Sequence, residues 1–441
     1  MANEILRLTE ATPNQSAYLV YSTENNLPVS SGNGLSITFD FYAYGGTGAD
    51  GISFFLVDGN SPIQSVGGFG GSLGYAPYIA NGAVQPGIAG GYVGIGLDEF
   101  GGFSSDTEGR TGGSGRLPDS IAVRGSAATN YNYLAGKQLP VSLDNPDPTA
   151  TRENSKRTAK IDLSPAGVLS VKVDLNQDGD FLDDGEVPIP SLDLVGSGNG
   201  ALPSSFNFGF AASTGGQTNI HEVGNFRVSN FNGAPLSGNF SGNLVIVDPS
   251  DEPSKPSGGT GDDLIQTGNG NDVLSGNDGN DTLVGGGGAD TITGGPGSDR
   301  FYFRGSSKQE ALRNSTFGTR DRITDFKFLD GDKFALDFDN NFATIEKPRG
   351  LFNAGKERGN NLFKAVQSAY ADKDDKKKGN QALKANEAVF FRLGSKTFLS
   401  INDGKAAFSK TDDLLAEVTG IQFKTGDLKK GALNVANYFL V

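Results

Sequence analysis

The sequence predicts a mainly β protein: an antiparallel sandwich, then a parallel β-roll, then a β-rich α+β cap. Three observations predict it. Residues 1–235 are a series of short β-branched and aromatic runs broken by Gly and Pro, with no sustained helical period. Residues 258–302 repeat a nine-residue unit five times without a slip. After Tyr302 the chain turns basic, and hairpin patterns surround one helical stretch. The expected parts are a sandwich over 1–245, a linker over 246–257, the roll over 258–302 and a capping domain over 303–441.

In the first part, LSITFDFYAY, GISFFLVDG, GYVGIGLDEF, VLSVKVDL, FNFGFAAST and NFRVSNF each read as a strand or strand pair. That pattern fits two packed antiparallel sheets. The chain has 441 residues, with 65 Gly, 19 Pro, no Cys, one His and no Trp, so no disulfide framework supports the fold. No apolar stretch is long enough to span a bilayer. The start, MANEILRLTEATPNQ, has neither the basic nor the apolar region of a Sec-type signal peptide. Residues 1–302 hold 13 Lys/Arg against 33 Asp/Glu, whereas 303–441 hold 24 against 18. The acidic front argues against nucleic acid as a partner.

The linker, VDPSDEPSKPSGG, is rich in Pro and Ser and reads as semi-extended. The repeats that follow are GGTGDDLIQ, TGNGNDVLS, GNDGNDTLV, GGGGADTIT and GGPGSDRFY. Asp stands sixth in every unit (Asp263, Asp272, Asp281, Asp290 and Asp299), and an apolar residue follows two places later. Glycines let six residues turn tightly, and the last three form a short strand with one inward side chain. Two units make a coil, so Asp263 faces Asp281, Asp272 faces Asp290 and Asp281 faces Asp299. Facing carboxylates with backbone carbonyls suit a hard cation, Ca²⁺. The segment carries seven Asp, no Glu and one basic residue, Arg300. It is expected to be disordered without calcium and folded with it. The pattern resembles the RTX family of secreted repeat proteins. That resemblance implies export by a type I secretion apparatus and a secreted or cell-surface location, with the ending NYFLV similar to the apolar tail of such export signals.

Three segments of the first half, GTGADGISFFLVDG (46–59), GGFGGSLGY (67–75) and FGFAASTGGQTNIHEVGNF (208–226), resemble the legume-type (L-type) lectins and their bacterial relatives. The resemblance implies a jelly-roll-like sandwich with a shallow saccharide site. A sugar needs a fixed carboxylate, backbone donors and an aromatic platform. The family pattern puts the carboxylate at Asp50, after an unusual cis peptide from Ala49, and a backbone N–H at Gly70. It puts the variable loop at Gly215, Gly216 and Gln217, and the stacking ring at Phe100. The bland readings are a turn-capping role for Asp50 and a core role for Phe100. The metal loop departs from the family: its Glu and Asn positions are Gly96 and Gly102, and no His follows. A transition-metal site is not expected; a calcium set of Asp98, the Phe100 carbonyl and Asp106 remains. His221, the one histidine, is expected to make a structural hydrogen bond.

A second calcium candidate is DLNQDGDFLDDGE (174–186), where Asp174, Asn176, Asp178 and Asp180 alternate around Gly179 as in an EF-hand loop. A strand precedes it, so a hairpin loop is expected, and a solvated acidic turn is the alternative. In the tail, DRITDFKFLDGDKFALDF (321–338) resembles the segments that cap RTX rolls. NLFKAVQSAYADKD reads as a helix, and the last block resembles the bluetail-type domain of cyanobacterial surface proteins. The function expected from these parts is a secreted, calcium-dependent, non-catalytic protein that binds extracellular or cell-surface glycan. The rivals are a structural or adhesive surface protein and a polysaccharide-active enzyme.

Overall fold

Leu35, Ile37, Phe39 and Phe41 alternate with Ser36, Thr38 and Asp40 along the strand Leu35–Tyr44, and the four apolar side chains are buried. Such alternation lays one face of a strand on a core and leaves the other polar. The computed structural model describes residues 5–21, 29–61, 63, 67–80, 82–234, 244–248, 251–357, 361–405 and 407–441. Part of the expected linker, 249–250, lies outside them. The chain divides into two units, Met1–Glu252 and Pro253–Val441.

In the first unit, Leu35–Tyr44 belongs to a six-stranded sheet in the order Ile5–Thr9, Ile220–Ser229, Leu35–Tyr44, Lys156–Leu163, Val168–Asp174, Ile189–Asp193, antiparallel throughout. A second antiparallel sheet runs Tyr133–Gln138, Ser120–Arg124, Gly91–Asp98, Gly51–Asp58, Ser205–Ser213, Ser16–Tyr21, Leu244–Val247. Aromatic rings join the sheets: Phe39 meets Phe210 edge-on at 4.6 Å and stacks with Phe54 at 6.1 Å. Non-local pairs such as Ile5 with Gly224 and Ser16 with Ser213 give the sandwich its wound topology.

The strand Gly51–Asp58 is buried on both faces. Phe54 faces the other sheet, and Phe55 lies in a second apolar cluster with Tyr75, Phe103 and Tyr131. The loops that carry those three rings cover the outside of the sheet. Gly94 and Gly96, two apart on one face, make the slots. A Cβ on Gly94 would stand 2.3 Å from the Tyr75 ring, and one on Gly96 would stand 2.5 Å from the Phe103 ring. Arg124 fixes the longer loop. Its fully buried guanidinium donates from Nε to the Phe103 carbonyl, from one terminal nitrogen to Thr111 and Tyr131, and from the other to Ser105 and Gly112. All five N–H donors are thereby matched, and burial lowers its pKa to about 10.

The second unit contains the roll. Leu264–Gln266, Thr282–Val284 and Arg300–Arg304 pair in parallel, as do Val273–Ser275 and Thr291–Thr293 on the other side. Ile265, Leu274, Leu283, Ile292 and Phe301 point inward and are buried. The coil does not stop at Tyr302: Arg322–Ile323 pairs in parallel with Thr291–Thr293, and Lys333–Asp337 with Arg300–Arg304. At its other end Ser254 and Ser257, within the expected linker, already bond to roll residues. Beyond Arg322–Ile323 the sheet continues through Leu414–Val418, Lys396–Ile401, Glu387–Leu393 and Gly350–Glu357. The helix Leu362–Ala371, capped by Asn361, lays Ala365, Val366, Ala369 and Tyr370 on that sheet beside Phe391 and Leu415. The terminal NYFLV is docked rather than free: Tyr438 and Phe439 are buried, and the Tyr438 hydroxyl donates to Asp427.

Arg124→Met would leave five carbonyls without their donor. It should lower stability of the sandwich by about 3–5 kcal/mol in urea unfolding followed by tyrosine fluorescence, while Arg227→Met at the sheet's outer face should change it little.

Candidate functional site

Three of the nonapeptide aspartates, Asp281, Asp290 and Asp299, are held in the same way. The Oδ1 of Asp281 accepts from the Asp263 N–H at 2.8 Å, that of Asp290 from Asp272 at 2.9 Å and that of Asp299 from Asp281 at 3.0 Å. Each carboxylate thus stitches its coil to the one eighteen residues earlier. The other oxygen, Oδ2, is buried without a hydrogen-bond partner in Asp272, Asp281, Asp290 and Asp299. Glycine opens four of the five units, all but the one that begins at Thr267, and in those four the carboxylate folds back over it. A Cβ on Gly276 would stand 2.1 Å from the Asp281 Oδ2, and one on Gly294 would stand 2.1 Å from the Asp299 Oδ2. An anionic oxygen buried and unpaired is costly, and a column of them is a ready set of hard ligands for Ca²⁺. Burial pushes the Asp281 and Asp290 carboxyls up to about 8 and Asp299 up to about 7.

The second set lies in the sandwich. Asp50, Gly70, Phe100, Gly215 and Gly216 line one cleft of about 470 Å³. The Ala49–Asp50 peptide is cis. Asp50 is 4 % exposed, its Oδ2 has no hydrogen-bond partner, and burial raises its pKa to about 7. Its own carbonyl accepts from the N–H of Glu99 and Phe100, tying the two loops together. Gly215 must be small, because a Cβ there would stand 3.0 Å from the Asp50 Oδ2. The Gly70 carbonyl accepts from the Ser213 hydroxyl at 2.7 Å, which anchors the glycine loop. Gln217 is exposed beside the cleft and is not part of its lining.

Arg110 and Arg116 also line the cleft, as do Phe69 and Tyr78, whose rings lie 4.3 Å apart. Sequence reasoning missed all four. The only cue to the arginines was two cations in the short GRTGGSGR stretch of an acidic half. Arg116 stands 3.6 Å over the Phe100 ring, and its Nε donates to the Phe100 carbonyl. One face of the expected stacking platform is therefore covered by a guanidinium.

Asp98, the Phe100 carbonyl and Asp106 are not gathered into a ligand set. Asp98 is fully buried; its Oδ1 accepts from the Gly101 N–H and its Oδ2 from the N–H and hydroxyl of Ser104. The Phe100 carbonyl is engaged by Arg116, and Asp106 is exposed. Protein donors organise this loop where the family pattern uses a metal. The two departures have steric causes. The Phe103 ring fills the space beside Gly96, and a Cβ on Gly102 would stand 2.5 Å from the Cα of Gly71. His221 makes the structural bonds expected of it, to Thr9 at 2.7 Å and to Glu99 at 2.9 Å.

In the 174–186 hairpin loop, Asp174 is buried and its two oxygens accept from the N–H of Gln177 and Gly179. Asn176 donates its amide to Asp178 and Asp183. The acidic group that comes together is Asp178, Asp180 and Asp183, all exposed. Asp183 was not singled out in the sequence because it breaks the alternate spacing. Glu186, one place late for an EF-hand, instead accepts from the N–H of Leu175 and Asp183.

Residues 257–292 and 275–305 match the family model for the RTX calcium-binding nonapeptide repeat, four copies. Ca²⁺ is the cation of these repeats. That match ends at residue 305, and the bluetail-type resemblance rests on the tail's sequence alone. No curated protein matches the chain. Solved structures to which the chain is similar include the following three. The VIP36 exoplasmic/lumenal domain in its Ca²⁺/mannose-bound form shows 16% identity, 52% of this chain and 79% of that one covered, and TM-score 0.35. Peanut lectin with a nine-residue peptide shows 21% identity, 52% and 87% covered, and TM-score 0.32. The lectin of Bauhinia forficata with GalNAc shows 20% identity, 52% and 89% covered, and TM-score 0.32. Among the described residues no helix is long and apolar enough to cross a membrane.

The raised carboxyl pKa values fix the pH response of the roll without calcium. Folding takes up protons, because the same groups titrate near 4 in the unfolded chain. Stability is then fully present below about pH 4 and is lost as pH rises through about 7–8. In chelator, acidification from pH 8 to pH 5 should increase the ordered β signal in circular dichroism. In millimolar Ca²⁺ the same change should lower it, because protons compete with the ion for the oxygens.

Proposed function

We propose that the protein is a secreted, calcium-dependent carbohydrate-binding protein that holds its ligand without transforming it. The sandwich, over about 1–245, is the binding part, the repeats are the calcium-folded part, and the C-terminal block is the cap and export region read by a type I apparatus. The observation that carries the reading is the Asp50 carboxylate: buried, on a backbone tied to Ser213, Glu99 and Phe100, and with one oxygen unpaired at an open cleft. Vicinal sugar hydroxyls are the donors such an oxygen accepts from. Gly70, Gly215 and Gly216 leave the approach to it open, and Phe69, Tyr78 and Phe100 supply apolar surface for a sugar ring. Asp178, Asp180 and Asp183 are the place for a further calcium ion on the sandwich.

The guanidinium over Phe100 favours a second reading, an adhesive surface protein whose sandwich takes no sugar. Calcium-driven self-assembly that free saccharides do not inhibit would select it.

Glycan-array binding in Ca²⁺ tests the first reading. Asp50→Asn should abolish binding, a loss of at least tenfold, with unchanged circular dichroism; binding retained by this variant, or no binding to any glycan by the native chain, would overturn it. Because Asp50 must be ionised to accept two hydroxyls, affinity should also fall as pH drops below about 7.

A further inference from the structure

The spacing of eighteen residues that pairs the repeat aspartates ends with Asp299. Residues 305–320 leave the coil and carry the short helix Lys308–Arg313. The chain then re-enters the roll at two places that the family match does not reach. The Oδ1 of Asp321 accepts from the Asp290 N–H at 3.1 Å, and the Oδ1 of Asp332 accepts from the Asp299 N–H at 3.0 Å. These are the same bonds, donor for donor, that join Asp263 to Asp281 and Asp281 to Asp299. The apolar residue two places on is also reproduced. Ile323 is paired with Ile292, and Phe334 with Phe301, all four buried.

Asp321 and Asp332 therefore stand where a sixth and a seventh repeat would place their aspartates, though 31 and 33 residues separate them from their partners. Both are 2 % exposed. The Oδ2 atoms of Asp290 and Asp299, the residues bonded to Asp321 and Asp332, are buried without a hydrogen-bond partner. At Asp332 the second oxygen also accepts from the Lys327 N–H, which leaves a lone pair free for a cation.

We propose that the calcium ladder runs two positions past the nonapeptides, with one Ca²⁺ between Asp290 and Asp321 and one between Asp299 and Asp332. The inference rests on calcium binding by the repeats and extends it to residues of the cap. It has a structural consequence. Asp321 leads into Arg322–Ile323, which pairs with Leu414–Val418 and through it with the whole C-terminal sheet. An ion at Asp321 thus couples the order of that sheet to calcium.

Isothermal titration of the full chain with Ca²⁺ is the test. Asp321→Asn and Asp332→Asn keep the Oδ1 that accepts the backbone N–H and remove the charge, at 332 together with the bond from the Lys327 N–H. Each should bind one Ca²⁺ fewer per chain than the native protein, and the double variant two fewer. Asp339→Asn, an exposed acid of the same unit, should bind the native number. A native stoichiometry in the double variant would overturn the proposal while leaving the repeats' own calcium intact. No binding by the native chain would instead overturn the calcium reading itself. Should a variant fail to fold, terbium-soaked crystals of the native chain decide: anomalous peaks beside Asp321 and Asp332 support the proposal, and peaks confined to Asp263–Asp299 contradict it.

Discussion

The second unit depends on a column of buried carboxylates. Asp281, Asp290 and Asp299 each use one oxygen to cap the coil before them and leave the other buried and unpaired. The apolar interior cannot offset this. One inward Ile, Leu or Phe per nine residues contributes about 1.5–3 kcal/mol. Fixing nine backbones costs about 1–2 kcal/mol each. Shared coordination of an ion would turn mutual repulsion among ionised aspartates into attraction and supply what the interior lacks. The glycine that opens four of the five units follows from the same constraint, since a carboxylate lies across its Cα.

The sandwich solves its loop problem by other means. Where the family pattern would place metal ligands, this chain has Gly96 beside the Phe103 ring and Gly102 against Gly71. Backbone donors close on Asp98, and Arg124 gathers five carbonyls of the covering loop. This loop is held by the chain's own hydrogen bonds, so the sandwich and the roll differ in what they need to fold. The cleft around Asp50 benefits directly, because the loop that carries Phe100, Arg110 and Arg116 forms one of its walls.

Much of this was legible in the residues. The period of nine gave the roll, its inward side chains and its aspartates, because a strict repeat allows only one register. The alternation in Leu35–Tyr44 and its neighbours gave the sheets. Asp50, Gly70, Phe100, Gly215 and Gly216 do share a cleft, whereas Gln217 turns away to solvent. What was not legible depends on contacts distant in sequence or out of period. Arg116 covers Phe100 from sixteen residues away, and nothing local signals it. Asp183 joins Asp178 and Asp180 only once the hairpin loop closes. Asp321 and Asp332 escape a periodic reading because an excursion with a helix interrupts the count.

Residue-resolved hydrogen exchange at pH 7.5, in chelator and in millimolar Ca²⁺, tests the dependence of the roll on its ion most directly. The account predicts that amides of Leu264–Gln266, Thr282–Val284 and Thr291–Thr293 exchange freely in chelator and become protected only with Ca²⁺, while Leu35–Tyr44 and Ser205–Ser213 are protected in both. Equal protection of the roll strands in the two conditions would contradict it.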